Sequence, residues 1–445
     1  MAKKHLSRRS FLGTSATAAA AGVLVGTDLA SAATTSSSHL QPGLQQDTIT
    51  LNVFVHDNHP FDRVKPIYEA QYPNVKLNMM KQNDVAVFRA TLAAGGEGTP
   101  DIFWPEIDMV QELGKTGILL DTTDLVTELK ADLAPGKTNE TFIPSTGKYA
   151  AFPGDVATVG LYYRQDLLDA AGVTVPETWD DFIVAAQTVK EKTGASSLVI
   201  PSDGTVVSTL LWQFILNQMG GAITNADGTE ITLDDEKGVA AMELTRKLYQ
   251  ANVHIDEDPT LENYFAEVAA GHVAMAPMPV WYRGFGIEPY VTDETSGMGQ
   301  WRVALLPSAG EGTARTANWG GAAIASTTYT KYPDEVRNFM KLALGTMDGA
   351  AACGDWGILP PYLPYLNSDE WKAVRSPVFG DFSFNDIWTQ AVAEYPATWY
   401  KQPVFSEALT TVGAGIIAML SGSDDIAPAL KAIGDQVREL NTRYQ

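Results

Sequence analysis

Beyond residue 46 the chain alternates between two hydrophobic periodicities, and this alternation constrains the fold more than any other feature. Apolar residues occupy every second position of segments 49–55 and 75–79, as in β-strands. A helix follows the polar loop 56–60 and ends at Tyr72-Pro73, a second helix spans 85–94, and a short third strand spans 101–104. The order strand, helix, strand, helix, strand predicts an α/β fold built on a parallel sheet.

Later segments continue this theme. A helix opens at Thr178 with a capping-box pattern that is completed by Asp181, and it ends near Gly194. Strands are predicted at 159–163, 273–278, 301–306 and 322–325, helices at 210–219, 264–271 and 333–344, and 384–445 as almost wholly helical.

Polar and aromatic side chains follow the first three predicted strands. In parallel α/β sheets, ligands bind beyond the carboxyl ends of the strands. This rule places His56, Asp57, Asn83, Trp104 and Glu106 on one rim. The run from His56 to His59 invites a metal interpretation, but metal sites usually need three or four ligands and the sequence has no second histidine cluster. We therefore predict a ligand-contacting loop and no metal.

The charge balance excludes some partners. The chain has 53 Asp and Glu against 31 Lys and Arg, a net charge of −22. A phosphate backbone or an anionic membrane surface would repel such a protein, so nucleic acid is not an expected partner. The one cysteine, Cys353, cannot form an internal disulfide or build a thiolate metal site alone.

The N-terminus has the features of an export signal. Residues 7–12 (Ser-Arg-Arg-Ser-Phe-Leu) resemble a twin-arginine signal, a small and apolar stretch covers 11–27, and Ala30-Ser31-Ala32 matches a cleavage pattern. We expect a signal peptide at 1–32, a flexible leader at 33–46, and a soluble mature protein in the periplasm or outside the cell. The absence of a cysteine near the cleavage site leaves no evident lipid anchor.

Short motifs in a fixed order, from about Thr48 to the end, resemble the family-1 extracellular solute-binding proteins of ABC importers, the group that contains maltose-binding protein. Arg164-Gln165 replaces the Asn-Lys that is usual in this family, and the lipid-anchor cysteine of many relatives is missing. The motifs are residues 72–77 (YPNVKL), 98–102 (GTPDI), 117–121 (GILLD), 149–153 with 162–168 (YYRQDLL), 271–275 (GHVAM), 320–321 (GG) and 357–360 (GILP).

The resemblance implies a periplasmic-binding-protein-like fold. Two α/β lobes are joined by three chain crossings, near 154–156, 318–321 and 355–357, and hinge closure traps the ligand in the cleft between them. The N-terminal lobe would comprise 47–154 plus 322–354, and the C-terminal lobe 155–321 plus 355–445. A monomer that delivers its ligand to the permease subunits of an ABC transporter is expected.

A carbohydrate, an oligosaccharide in particular, is the expected ligand, because relatives place aromatic and acidic residues in the cleft. Aromatic rings cover the faces of a sugar, and carboxylates accept from its hydroxyls. Trp281 is the strongest candidate, since relatives often stack a tryptophan there. The other positions that the resemblance and the hinge assignment add are Asp108, Asp155, Tyr282, Arg283, Trp319, Gly320, Trp356 and Trp399.

Two other interpretations stay open. The same fold could bind a polyamine, a peptide or a phosphorylated polyol. A phosphate ester stays open as a ligand because Arg283 could bind its charge. A secreted glycoside hydrolase would need a pair of carboxylates, which the sequence alone does not exclude. No H-E-x-x-H, G-x-S-x-G or P-loop motif is present. We predict a binding protein with no catalytic residues and no cofactor.

Overall fold

The computed structural model describes residues 48–55, 59–81, 85–95, 98–396 and 400–445. The predicted signal peptide and leader lie outside the described residues, as do His56, Asp57, Asn83 and Trp399. Asp47–Gln445 form one compact unit.

Within the described residues the strands form two larger sheets and two short pairs. They are β1 Ile49–Val55, β2 Val75–Lys81, β3 Ile102–Phe103, β4 Phe142–Ile143, β5 Lys148–Tyr149, β6 Phe152–Pro153, β7 Val159–Arg164, β8 Ser196–Ser197, β9 Val273–Pro279, β10 Trp301–Ala304 and β11 Ala323–Ile324.

Helices cover both larger sheets. They are α1 Phe61–Gln71, α2 Val85–Ala94, α3 Ile107–Thr116, α4 Thr123–Leu129, α5 Pro135–Glu140, α6 Gln165–Ala171, α7 Trp179–Thr193, α8 Leu210–Gln218, α9 Glu236–Gln250, α10 Glu262–Ala269, α11 Pro333–Gly345, α12 Met347–Trp356, α13 Leu363–Leu366, α14 Asp369–Ala373, α15 Asn385–Ala393, α16 Phe405–Ser421 and α17 Ile426–Asn441.

The first sheet has the order β2-β1-β3, and both pairings are parallel. Leu51 and Val53 of β1 are fully buried, as the alternation of the sequence predicts. Helices α1, α11 and α12 contribute to the core on this sheet, and Phe88 of α2 joins a smaller cluster with Phe103. The prediction of a parallel α/β arrangement is confirmed for this lobe.

The second sheet has the order β10-β7-β9-β8. Here β7 pairs antiparallel with both β9 and β10, and only β8 and β9 run parallel. Every residue of β7 is buried. Its sequence therefore lacks the alternation of apolar and polar residues that is typical of an antiparallel sheet with one face in water, and the direction of β7 could not be predicted from it. The fold class, two α/β lobes, is confirmed, but the second sheet is mixed.

Three segments connect the two sheets, and we call them the connecting segments. They pass through Asp155, Ala322 and Leu359 and lie side by side. Asp155 accepts a hydrogen bond from the Ala322 amide (2.7 Å), and the Val156 amide donates to the Leu359 carbonyl (2.8 Å). Strand β6 pairs with β11 at the same place. The packing is so tight that a Cβ on Gly154 would lie 2.1 Å from the Ala322 carbonyl oxygen.

In the part of the chain that the structure describes, no helix combines the length and the apolar character needed to cross a bilayer.

Candidate functional site

A cavity of about 660 Å³ lies where the two lobes and the connecting segments meet. Aromatic and acidic side chains from both lobes dominate its walls. The lining residues are Pro60, Phe88, Arg89, Trp104, Pro105, Glu106, Asp108, Met109, Asp155, Thr260, Trp281, Phe285, Ala322, Trp356, Ile358 and Ser406.

Trp281 presents a half-buried aromatic ring to the cavity from just beyond β9. Its indole N–H donates to the Trp319 carbonyl (3.1 Å), and its ring centroid lies 5.2 Å from that of Trp319 and 5.7 Å from that of Phe285. These contacts hold the ring in one orientation. A ring that is fixed on one side and open on the other is a ready platform for an apolar ligand face.

Two more tryptophans contribute to the walls. Trp104 follows β3 and packs edge-on against Phe61, with ring centroids 5.1 Å apart. Trp356 ends α12 and is half-buried. Both residues reach the cavity because they stand where a regular element ends at the boundary between the lobes.

Three carboxylates of the described part of the chain line the same cavity. Glu106 precedes the first turn of α3, caps no backbone amide and is exposed to the cavity. Asp108 accepts from the Met109 amide (2.9 Å) and from the Ser406 hydroxyl (2.6 Å). Asp155 has one oxygen on the Ala322 amide. The cavity is therefore rich in hydrogen-bond acceptors.

The walls of the cavity desolvate Glu106. Desolvation raises the pKa of its carboxyl to about 7; the positive charge of Lys401 opposes this shift, and the Asp155 and Asp108 carboxylates add to it. Burial likewise raises the pKa of Asp155, against the opposing charge of Lys137. A carboxyl that is poised near neutrality can both donate and accept hydrogen bonds to a ligand.

Two buried lysines lie behind the acidic wall. The Lys137 ammonium donates to Glu140 (2.8 Å) with both side chains almost fully buried. The Lys401 ammonium donates to the Gly320 carbonyl, and burial lowers its pKa although Glu140 opposes the shift. Their charges offset part of the acidity without reaching into the cavity.

The hydrogen bond between Asp108 and Ser406 joins the two walls. Asp108 lies on α3, which packs beside the first sheet, and Ser406 lies on α16, whose core belongs to the second. Arg89, an arginine of the lining, pairs with Glu112. The two lobes thus make a direct contact at the lining of the cavity.

The structure brings together six of the residues that the sequence predicts for the site: Trp104, Glu106, Asp108, Asp155, Trp281 and Trp356. Trp319 and Gly320 lie directly behind Trp281, with Trp319 in contact with its ring and a Cβ on Gly320 falling 3.7 Å from its indole nitrogen.

Tyr282 and Arg283 do not line the cavity. Tyr282 is fully buried, and its hydroxyl donates to the Pro259 carbonyl (2.9 Å). Arg283 is 5% exposed, and its guanidinium lies over the Phe384 ring, with 5.1 Å from its central carbon to the ring centroid. Successive residues point in different directions, so a triplet in sequence cannot present all of its side chains to one space. His56, Asp57, Asn83 and Trp399 lie outside the described residues.

Sequence reasoning missed several lining residues. Phe285 follows Trp281 by four positions, the spacing that puts two side chains on one helical face, and that spacing could have revealed it. Phe88, Ile358 and Ser406 carry no such local signal. The lysines behind the wall, Lys137 and Lys401, come together only through the fold.

Comparison with known proteins agrees with the family resemblance of the sequence motifs. The sequence profile of bacterial extracellular solute-binding proteins matches residues 50–350. An arabinooligosaccharide-binding protein of Halalkalibacterium halodurans is 27% identical over 52% of this chain, but the alignment spans only half of that relative. A probable ABC transporter-binding protein of Deinococcus radiodurans is 26% identical over 77% of this chain and 79% of its own length.

Solved structures share the fold. The GacH receptor of Streptomyces glaucescens, known unliganded and with acarbose, is similar with a TM-score of 0.71 and 21% identity over 89% of this chain and all of that chain. A binding protein from B. animalis subsp. lactis in complex with β-1,6-galactobiose gives a TM-score of 0.73 and 21% identity over 89% of this chain and 98% of that chain.

Proposed function

The chain belongs to the family of bacterial extracellular solute-binding proteins, and from that membership we propose that it captures a carbohydrate, an oligosaccharide in particular, for an ABC importer. Curated relatives from Halalkalibacterium halodurans and Bacillus subtilis bind arabinooligosaccharides, and one from Streptomyces coelicolor binds diacetylchitobiose. Their names agree on oligosaccharides and differ on the sugar.

The observation that supports this proposal best is the composition of the cavity. Trp281 and Trp356 offer ring faces for the C–H faces of a sugar, and Glu106 and Asp155 offer oxygens for its hydroxyls. A volume of about 660 Å³ falls in the range of roughly 300–1,000 Å³ that is typical of small-molecule sites. We propose as ligand contacts the six predicted residues that line the cavity, with Trp319 and Gly320 as their support.

We further propose that the lobes comprise 47–154 with 322–354, and 155–321 with 355–445, and that they close on the ligand about the three connecting segments. The mature protein would be exported by the twin-arginine route, act as a monomer and deliver its ligand to permease subunits without altering it. Deletion of Arg8 and Arg9 should hold the chain in the cytoplasm, whereas normal export of that variant contradicts the proposed route.

A ligand screen tests the function. Thermal unfolding of residues 33–445 is measured with mono- and oligosaccharides, polyamines, peptides and glycerol phosphates. A ligand at 100 times its dissociation constant stabilises the folded state by about 2.7 kcal/mol, an easily detected shift. Stabilisation by an oligosaccharide that is recovered intact supports the proposal; a sugar that is cleaved would make the protein an enzyme.

A polyamine is the second candidate, and the acidic lining favours it. Among the described residues, three carboxylates face the cavity, and the only arginine of the lining is already paired with Glu112. Ammonium groups also bind aromatic faces. Stabilisation by spermidine or putrescine, with no response to any sugar, would keep the transport role and replace the ligand.

A further inference from the structure

A second cavity, of about 400 Å³, shares no lining residue with the candidate site. We call it the arginine cavity, because three guanidinium groups line it. The lining residues are Arg63, Arg283, Glu288, Val291, Met298, Asp355, Val374, Arg375, Ser376, Pro377 and Val378. Three arginines against two carboxylates make it locally basic in a chain whose net charge is −22.

The buried member, Arg283, has unused donors. A guanidinium carries five N–H donors, but within the described residues Arg283 makes one side-chain hydrogen bond, to the Gly354 carbonyl (3.2 Å). Its nearest carboxylate, Glu288, is 3.7 Å away, too far for a hydrogen bond. A buried cation with unmet donors is costly, so this side chain favours an acceptor in the cavity.

A second group has the same need. Ser376 is 3% exposed, and its hydroxyl has no hydrogen-bond partner in the part of the chain that the structure describes. Native proteins rarely leave a buried hydroxyl unpaired, and an exception calls for an explanation such as a missing ion.

The other two arginines are accessible from solvent. Arg63 is half-exposed, and its nearest carboxylate, Asp355, is 3.7 Å away. Arg375 donates through Nη1 to the Lys372 and Val374 carbonyls (2.6 and 2.8 Å), which fixes its position and leaves its Nη2 and Nε donors unused among the described residues. Arg63 can therefore turn toward an incoming anion, and Arg375 can offer its unused donors without giving up its carbonyl contacts.

We propose that the arginine cavity binds a tetrahedral oxyanion, either inorganic phosphate or sulfate or the same group on a larger molecule. Guanidinium groups bind such oxygens in pairs, with a geometry and strength that an ammonium does not match. The hydroxyl of Ser376 adds a donor. The cavity is wider than a bare ion requires, which leaves room for an ester substituent.

The site is separate from the proposed sugar cavity but shares two chain segments with it. Arg283 comes two residues after Trp281, and its partner Gly354 comes two residues before Trp356. The arginine cavity does not depend on which solute the sugar cavity takes, because the two linings have no residue in common.

The test is a titration of the mature chain in a chloride buffer with sodium phosphate, sodium sulfate and glycerol phosphate, followed by thermal unfolding and calorimetry. Sodium chloride at matched ionic strength is the reference. We expect saturable stabilisation by phosphate and sulfate beyond that of chloride. Tighter binding of glycerol phosphate than of phosphate would assign the group to a larger molecule, and the reverse order to the free ion.

Variants localise the effect. Arg375→Gln should weaken phosphate binding about tenfold, the loss expected for a charge-assisted hydrogen bond. Ser376→Ala should weaken it about threefold. Arg443→Gln removes another exposed arginine, which lies outside the cavity, and should change nothing. Equal responses to phosphate and chloride, or an unchanged phosphate affinity in Arg375→Gln, would overturn the proposal.

Discussion

Replacing Trp281 with alanine should weaken the binding of the proposed sugar ligand roughly 60-fold. A tryptophan can bury roughly 150–250 Å², and because Trp281 is already half-buried, a sugar on its free face covers on the order of 60 Å². At about 25 cal/mol per Å² this contact contributes about 1.5 kcal/mol. The stacking geometry adds about 1 kcal/mol, and the sum of about 2.5 kcal/mol corresponds to the stated change in Kd.

Calorimetry with the best sugar from the screen measures this change. Trp281→Phe keeps an aromatic face and should lose about fivefold to tenfold. Trp371→Phe alters a tryptophan that is 2% exposed and absent from the cavity, so it should lower the melting temperature without changing Kd. A Kd for Trp281→Ala within threefold of the parent value would refute the assignment of this ring as the platform.

Three further predictions concern stability and reactivity. Because the pKa of Glu106 is raised to about 7, the folded state holds its proton more tightly than the unfolded chain, so the contribution of this carboxyl to stability is greatest below about pH 4.5 and is lost as pH rises to about 7; Glu106→Gln should remove this contribution to the pH dependence of the melting temperature, and an unchanged slope between about pH 4.5 and 7 would contradict the shift. Gly154→Ala drives a Cβ against the Ala322 carbonyl at 2.1 Å and should cost about 3 kcal/mol in urea unfolding, whereas Gly415→Ala, which meets only a movable side chain, should cost far less. Cys353 is fully buried, and burial raises the pKa of its thiol, so a disulfide reagent should modify it only after denaturant is added; fast labelling of the native protein would show that this region opens.

Much of the fold could be predicted because its signals are local. The bounds of α2 match the prediction residue for residue, and α7 has the capping box that Thr178 and Asp181 predict. The mixed pairing of the second sheet could not be predicted, because β7 is buried throughout and strand direction depends on partners more than a hundred residues away.

The candidate site was harder to predict, for the same reason. Trp104 and Trp281 follow strands that end at the boundary between the lobes, so a rule about strand ends or a resemblance suffices to find them. Lys137 and Lys401 are buried behind the acidic wall and affect the pKa of Glu106, but they are separated by 264 positions in the sequence and stand in unremarkable local contexts.

The hydrogen bond between Asp108 and Ser406 has a kinetic consequence. It ties together two residues of the cavity lining, one from each lobe, and we expect the separation of the lobes that admits a ligand to require this bond to break. The rate of ligand binding then cannot exceed the rate at which the hydrogen bond between Asp108 and Ser406 breaks. In stopped-flow fluorescence the observed rate should rise with ligand concentration and level off at the opening rate, and Ser406→Ala should raise that plateau.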